Sequence, residues 1–339
     1  MTDVMRSSME KARPALIGLS AVVLAIVVLT GMLLSMWYVP SSEPVRSSDG
    51  TLQTLVTSTR LLRSGPYTDT VFASKESPQL APALGGEPVL SAAQSSIRVS
   101  IHNAPHGTTV RRIHYWMSDL LLGLLAVLLL VLGALRTFET DRRLWLRFLS
   151  LTLLAVAGGW SGRILVDDVY AEISRRVMGH ELSNAPLGGI ITSVLGIEPG
   201  ALLLARTYSV HGFLLGVLGL LMITPDVRQI LREASRPPLL SMGLLIALGV
   251  SFVSVPDWGL RDAVRGLAGW EHVTPWWGIA PFRSWSLWLG SELAGYIAGL
   301  LGGLLIALPF WHRKMPRRSV SLFLTLLLVM VLAGLLFGN

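Results

Sequence analysis

Two histidines carry the clearest chemical signal in this chain. His114 stands in RRIHYWMSDLLLGLL and His211 in RTYSVHGFLLG, each where polar sequence gives way to a long apolar run. The chain has 7 histidines, and only these two occupy the mouths of such runs. Each follows an arginine, Arg111 three residues before His114 and Arg206 five before His211. Two facing neutral imidazoles with cations at the aqueous edge suit bis-histidine ligation of a haem b. The ring nitrogens bind iron and the arginines neutralise the propionates. Arg111 shares a helix face with His114 by spacing. Arg206 does not on a regular helix, and is expected in the turn before its run. The plainer alternative makes each histidine an interfacial polar anchor. For one histidine alone that is the better account; the matched pair weakens it and leaves it standing.

The elements that must position these residues follow from composition. Of the 339 residues, 52% are hydrophobic and only 14% charged, with mean hydropathy +0.58. A soluble domain carries nearly twice that charge fraction. Seven apolar runs approach or exceed the length of a bilayer crossing: 15–38, 113–135, 146–165, 207–224, 238–256, 286–309 and 319–337. The expected class is therefore all-α transmembrane. The first run is too long for a cleaved signal peptide and is expected to remain as an anchor. MTDVMRSSMEKARP, RTFETDRRLWLR, TPDVRQILREASRPP and WHRKMPRRS are short and basic, which predicts a cytoplasmic N-terminus and a periplasmic C-terminus in a bacterial inner membrane. The net charge of +7 thus reflects topology, and no nucleic-acid patch is evident. On the opposite side, 39–112 is rich in Ser, Thr, Pro and Gly and reads as an extended loop. DDVYAEISRRVMGHEL reads as an amphipathic surface helix, and the tryptophans of 257–285 as an interfacial belt. Zero cysteines exclude disulfides, iron–sulfur ligation and thioether-linked haem within the chain.

Four segments, in order, resemble cytochrome b of the quinol-oxidising bc-type complexes. TGMLLSMWYVP (30–40) is similar to that family's first helix and its exit. GTTVRRIHYW (107–116) resembles the start of its second, and GALLLARTYSVH (200–211) the start of its fourth. VTPWWGIAPFRSW and the apolar run after it (273–313) resemble the Pro-Glu-Trp-Tyr segment and its following helix. The resemblance implies a four-helix haem-binding domain over 1–237, with the loop 39–112, followed by a three-helix domain over 238–339. It makes His114 and His211 the axial ligands, with Arg111 and Arg206 beside the propionates. Gly31 and either Gly159 or Gly162 become the places where the macrocycle nears a helix backbone.

The family's second haem, four helical turns deeper, has no counterpart here. Fourteen residues advance a helix by about 21 Å on one face. The corresponding positions are Ile17, Leu128, Trp145 or Phe148, and Pro225, so two glycines and two histidines are replaced by bulky or apolar residues. The resemblance therefore implies one non-covalent haem b, near the periplasmic face. In the Pro-Glu-Trp-Tyr segment, Trp276 takes the glutamate's place and Gly278 the tyrosine's. An indole cannot accept a proton. Glu271 and His272 are nearby and more simply solvated.

The expected function is electron transfer between a periplasmic redox partner and the membrane or quinone pool, without a bifurcating cycle. A quinone as second ligand and a dimeric assembly stay open, as does catalytic activity of its own. Partner subunits, such as a c-type cytochrome or an iron–sulfur protein, must supply the remaining redox centres. The alternative is a haem-free scaffold anchoring such proteins. His102 and His106 are read as loop residues, Asp167, Asp168 and Glu172 as caps or solvated groups, and the glycines of 299–309 as close-packing positions.

Overall fold

A computed structural model describes residues 3–56, 79–82, 89–175, 203–223, 237–255 and 291–311, with 189, 190, 193, 232 and most of 319–329. The bundle is built from long helices: α1 (Asp3–Ser35), α3 (Gly107–Ala134) and α5 (Arg142–Ile164). The next, α6, runs from Leu203–Tyr208 through a π-helical Ser209–Leu215 into Gly216–Ile223. These four are long and apolar enough to cross a membrane. Two further apolar helices follow, α7 (Pro237–Val250) and α8 (Ser291–Trp311). The all-α transmembrane expectation holds.

The helices begin well before the apolar runs that announced them, at residues 3, 107, 142 and 203. The first turns of α1, α3 and α5 carry charged or polar residues, so hydropathy registers only their later, apolar part. Those turns have their own support: Arg6 pairs with Glu10 at 3.2 Å, and Asp141 caps α5 by accepting from the Leu144 amide at 3.0 Å. At the other extreme α7 stops at Val250, short of its expected end.

The described residues of 39–112 hold far more structure than a loop. Its strands β1 (Gln53–Val56) and β2 (Gln79–Pro82) pair antiparallel, with Gln53 opposite Pro82. Gly50, at φ 85°, closes a turn in which Ser47 and the Thr51 amide donate to Asp49 and hold its carboxyl down to about 2. A helical stretch α2 (Ala92–Ser95, π-helical Ser96–Ser100, then Ile101–Asn103) starts from a Ser91–Gln94 capping box. Residues 107–112 already belong to α3. Gln94 Nε2 donates to the Asp167 carbonyl at 2.6 Å, Tyr38 to the Leu165 carbonyl at 2.7 Å, and the Val39 amide to Ser96 Oγ at 2.9 Å. The first two bonds dock the segment and the chain entering it on the end of α5. Asp168 caps the following turn as expected, accepting from the Ala171 amide at 2.8 Å. Asp167, Asp168 and Glu172 are nevertheless buried, where solvation was expected. His102 lies in α2, and His106, at φ 58°, is the residue before α3. Among the described residues no group of three or more His, Cys, Asp or Glu side chains could hold a metal ion.

At the end of the bundle away from the two histidines lies the main apolar core. Ile17, Leu128, Trp145 and Phe148 are all buried in one cluster with Val23, Leu125 and Leu132. Trp145 meets Phe138 edge-to-face at 5.6 Å, and its indole donates to the Leu305 carbonyl on α8 at 3.1 Å. The later helices are thereby stitched to the first four. Gly243 on α7 packs closely on α1, since a Cβ there would stand 2.5 Å from Val22 Cγ1. At Gly299, Gly302 and Gly303 no described atom lies within 4 Å of such a Cβ. Large apolar side chains such as Met32, Leu153 and Phe213 are exposed on the bundle's outside, as a lipid-facing surface requires.

Candidate histidine-pair site

His114 projects from the second turn of α3, and His211 from the π-helical segment of α6. Their ring centroids are 6.2 Å apart with planes at 79°. Single π turns within α-helices occur frequently at functional sites. Sequence separation of nearly a hundred residues is closed here by α1 and α5, which hold the two imidazoles in the same way.

Consider His114 first. Its Nδ1 lies 3.0 Å from the Val27 carbonyl, which can only accept, so Nδ1 carries the proton. Thr30 Oγ1 is 3.2 Å from the same nitrogen and spends its own hydrogen on the Ile26 carbonyl at 2.7 Å. The next residue is Gly31, where a Cβ would stand 3.0 Å from His114 Cε1. On the other side Ser161 Oγ donates to the Ala157 carbonyl at 2.7 Å and lies 3.1 Å from His211 Nδ1. With its hydrogen committed, that oxygen accepts from Nδ1–H. The Gly158 backbone also hydrogen-bonds this ring. Next comes Gly162, where a Cβ would stand 2.8 Å from His211 Cε1.

One device thus serves both rings: a hydroxyl residue fixes the tautomer, and the glycine after it makes room for the ring. Each imidazole keeps Nε2 unprotonated, the state a metal ligand needs. The glycines were expected where a macrocycle edge approaches, yet the imidazole is what fills the space each leaves. Of the two register choices in α5, Gly162 is the one against histidine. Gly159 instead offers its carbonyl to Arg163 Nη1 at 3.4 Å. Thr30 and Ser161 were missed in the sequence, although Thr-Gly and Ser-Gly recur at matching places. That repetition favours Gly162, because Gly159 follows another glycine.

Arg111 lies on α3 one turn before His114, as expected. Arg206 does not sit in a turn: it belongs to the helical Leu203–Tyr208 and is exposed. The helix starts earlier than the apolar run, which corrects that expectation. Near the pair, Arg163 Nη2 meets both Asp119 carboxylate oxygens at 3.3 and 3.2 Å, and its guanidinium lies 4.7 Å from the Tyr115 ring centre. Neither charge had been singled out. Asp119 as a lone acid inside an apolar run was the available signal.

A haem fits these residues on two counts. The donor chemistry is right, with two neutral imidazoles whose Nδ1 atoms are engaged. The spacing is right too: metal–nitrogen bonds of about 2 Å plus the ring radii put the two ring centres roughly 6 Å apart. At the opposite end, Ile17, Leu128, Trp145 and Phe148 fill the volume at the corresponding depth. Pro225, Glu271, His272, Trp276 and Gly278 lie outside the described residues.

No family model matches the chain. It is 25% identical over 271 residues to the "Cytochrome bc complex cytochrome b subunit" of Chlorobaculum thiosulfatiphilum, covering 69% of this chain and 62% of that protein. The chain therefore spans less than two thirds of that relative's length. Its fold is similar to a chain of a "Hyperthermophilic respiratory Complex III", with a TM-score of 0.61 at 15% identity over 96% of this chain and 91% of that one. Both bear out the resemblance and are consistent with a divergent cytochrome b-like fold.

Proposed function

We propose that this cytochrome b-like chain is an electron-transfer subunit of a bc-type respiratory complex that holds one haem b between His114 and His211. One observation carries the proposal: two imidazoles 6.2 Å apart, each fixed by a hydroxyl–glycine pair on a neighbouring helix. Bound there, the haem supplies a single one-electron site. Thr30, Val27 and Ser161 orient the imidazoles, and Gly31 and Gly162 let them lie against α1 and α5. Arg111 and Arg206 are the candidate partners of the propionates. A topology with the N-terminus cytoplasmic places the site near the periplasmic face of a bacterial inner membrane, within reach of a soluble redox partner such as a c-type cytochrome.

The packed core at the other end supports a conduit with no second haem, and hence no bifurcating cycle. Sending one electron to each side of the membrane needs a redox centre at each depth, and Leu128, Trp145 and Phe148 occupy the deeper one. The chain purified with its partners is expected to carry one non-covalent b haem, lost in His114→Ala and in His211→Ala. Two b haems per chain refute the proposal. None at all leaves a scaffold that anchors periplasmic redox proteins.

A further inference from the structure

The Asp119–Arg163 pair is a partly buried ion pair between two of the long helices, and the haem-binding proposal gives it no role. Both side chains are 14% exposed. Arg163 stands one residue from the end of α5, where an arginine ordinarily extends toward water. It turns instead to Asp119 on α3, over the Tyr115 ring, with Nη1 on the Gly159 carbonyl. Its sequence neighbours tie it to the histidine pair: Gly162 lies against His211, and Tyr115 follows His114. Asp119 is five residues beyond His114, about 7.5 Å of helical rise.

We infer that Asp119 is a positioning and charge-cancelling residue: it holds the Arg163 cation beside the histidine pair and neutralises it there, keeping the reduction potential of that site low. The inference rests on haem binding by His114 and His211. A guanidinium keeps its charge at any accessible pH. Removing the Asp119 carboxylate therefore makes the surroundings of the site one charge more positive, in a medium of lower dielectric than water. The oxidised haem carries one more positive charge than the reduced form, so such a change disfavours oxidation. At about 10 Å and an effective dielectric near 20, the reduced-to-oxidised ratio at fixed ambient potential rises by roughly tenfold.

A purely structural latch predicts something else: lower haem occupancy or stability, with no charge-dependent sign. The test is redox titration of the b band in membranes containing the full chain and its partners. Wild type, D119N, D119E and D119N/R163Q are compared at pH 9, with haem per chain and thermal midpoint recorded alongside. D119N should raise the reduced-to-oxidised ratio about tenfold. D119E, which keeps the charge, should titrate like wild type, and the double variant should reverse most of the rise. Should D119N not fold, R163Q carries the test with the opposite sign, since losing a positive charge favours oxidation. Haem-loaded D119N that titrates like wild type overturns the inference, as does a rise that persists in the double variant. Haem-free wild type overturns the haem-binding proposal and takes this inference with it.

Discussion

Gly162→Ala puts the histidine cradle to a quantitative test. The added Cβ would stand 2.8 Å from His211 Cε1, where ordinary contact begins at 3.4 Å. The imidazole or α5 must give way by about 0.6 Å, and overpacking of this kind costs about 1–3 kcal/mol. Against that, alanine gains about 1 kcal/mol over glycine within a helix. Stability alone therefore moves little, while His211 is displaced at the atom beside its ligating nitrogen. Gly31→Ala has the milder clash, 3.0 Å from His114 Cε1. Gly158→Ala is the control: its Cβ meets Leu215 Cδ1 at an ordinary 3.9 Å, so only the helical gain remains. Haem per chain, from the reduced-minus-oxidised b band, is measured beside the thermal midpoint. The expected order of haem loss is Gly162→Ala, then Gly31→Ala, with Gly158→Ala unchanged and its midpoint equal or higher. Equal loss in Gly158→Ala and Gly162→Ala, or full occupancy with an unshifted spectrum in Gly162→Ala, refutes the reasoning.

Two further outcomes follow from the site and its opposite end. Arg111→Leu or Arg206→Leu should leave the iron ligated but lower its reduction potential or occupancy, because a cation that opposed oxidation is gone; redox titration unchanged in both variants refutes a propionate role. The complex should show no oxidant-induced reduction of its b haem by quinol and no response to inhibitors of a bifurcating site, and Trp276→Glu should not create either; inhibitor-sensitive bifurcated turnover in the unmodified complex contradicts the one-haem proposal.

The histidine pair was legible because cost makes it conspicuous: polar side chains at the mouths of apolar runs are few. The inner positions were legible through spacing, since fourteen residues return a helix nearly to the same face. Ile17 and Leu128 are buried in the deep core, and both aromatic choices for α5 turn out to be buried there too. What resisted reading was everything that depends on two helices meeting. Asp119 and Arg163 are 44 residues apart, and no local pattern says that one guanidinium will span that gap. Thr30 and Ser161 look like ordinary helical hydroxyls, because such residues commonly bond back to the preceding turn, as both also do here. Hydropathy misplaced the helix starts because it measures solvent, whereas helix formation needs only backbone partners. The structure of 39–112 was hidden because its order comes from docking on the end of α5.

The two ends of the four-helix bundle solve opposite problems with the same helices. At one end, α1 and α5 present glycine and a hydroxyl, and α3 and α6 present imidazole. The small residues there are matched by the imidazoles, which fill the space the glycines leave. At the other end, α1, α3 and α5 present Ile17, Leu128, Trp145 and Phe148, which interlock and reach α8 through the Trp145–Leu305 bond. A closed apolar core bonded to a fourth helix is a poor place to open a second cofactor site. Inserting one histidine at Leu128 would bury an unsatisfied ring nitrogen and leave both aromatics in place. On the one-haem proposal, this packing confines transfer through the chain to the histidine end, and an electron leaving toward the membrane needs a carrier that reaches that end.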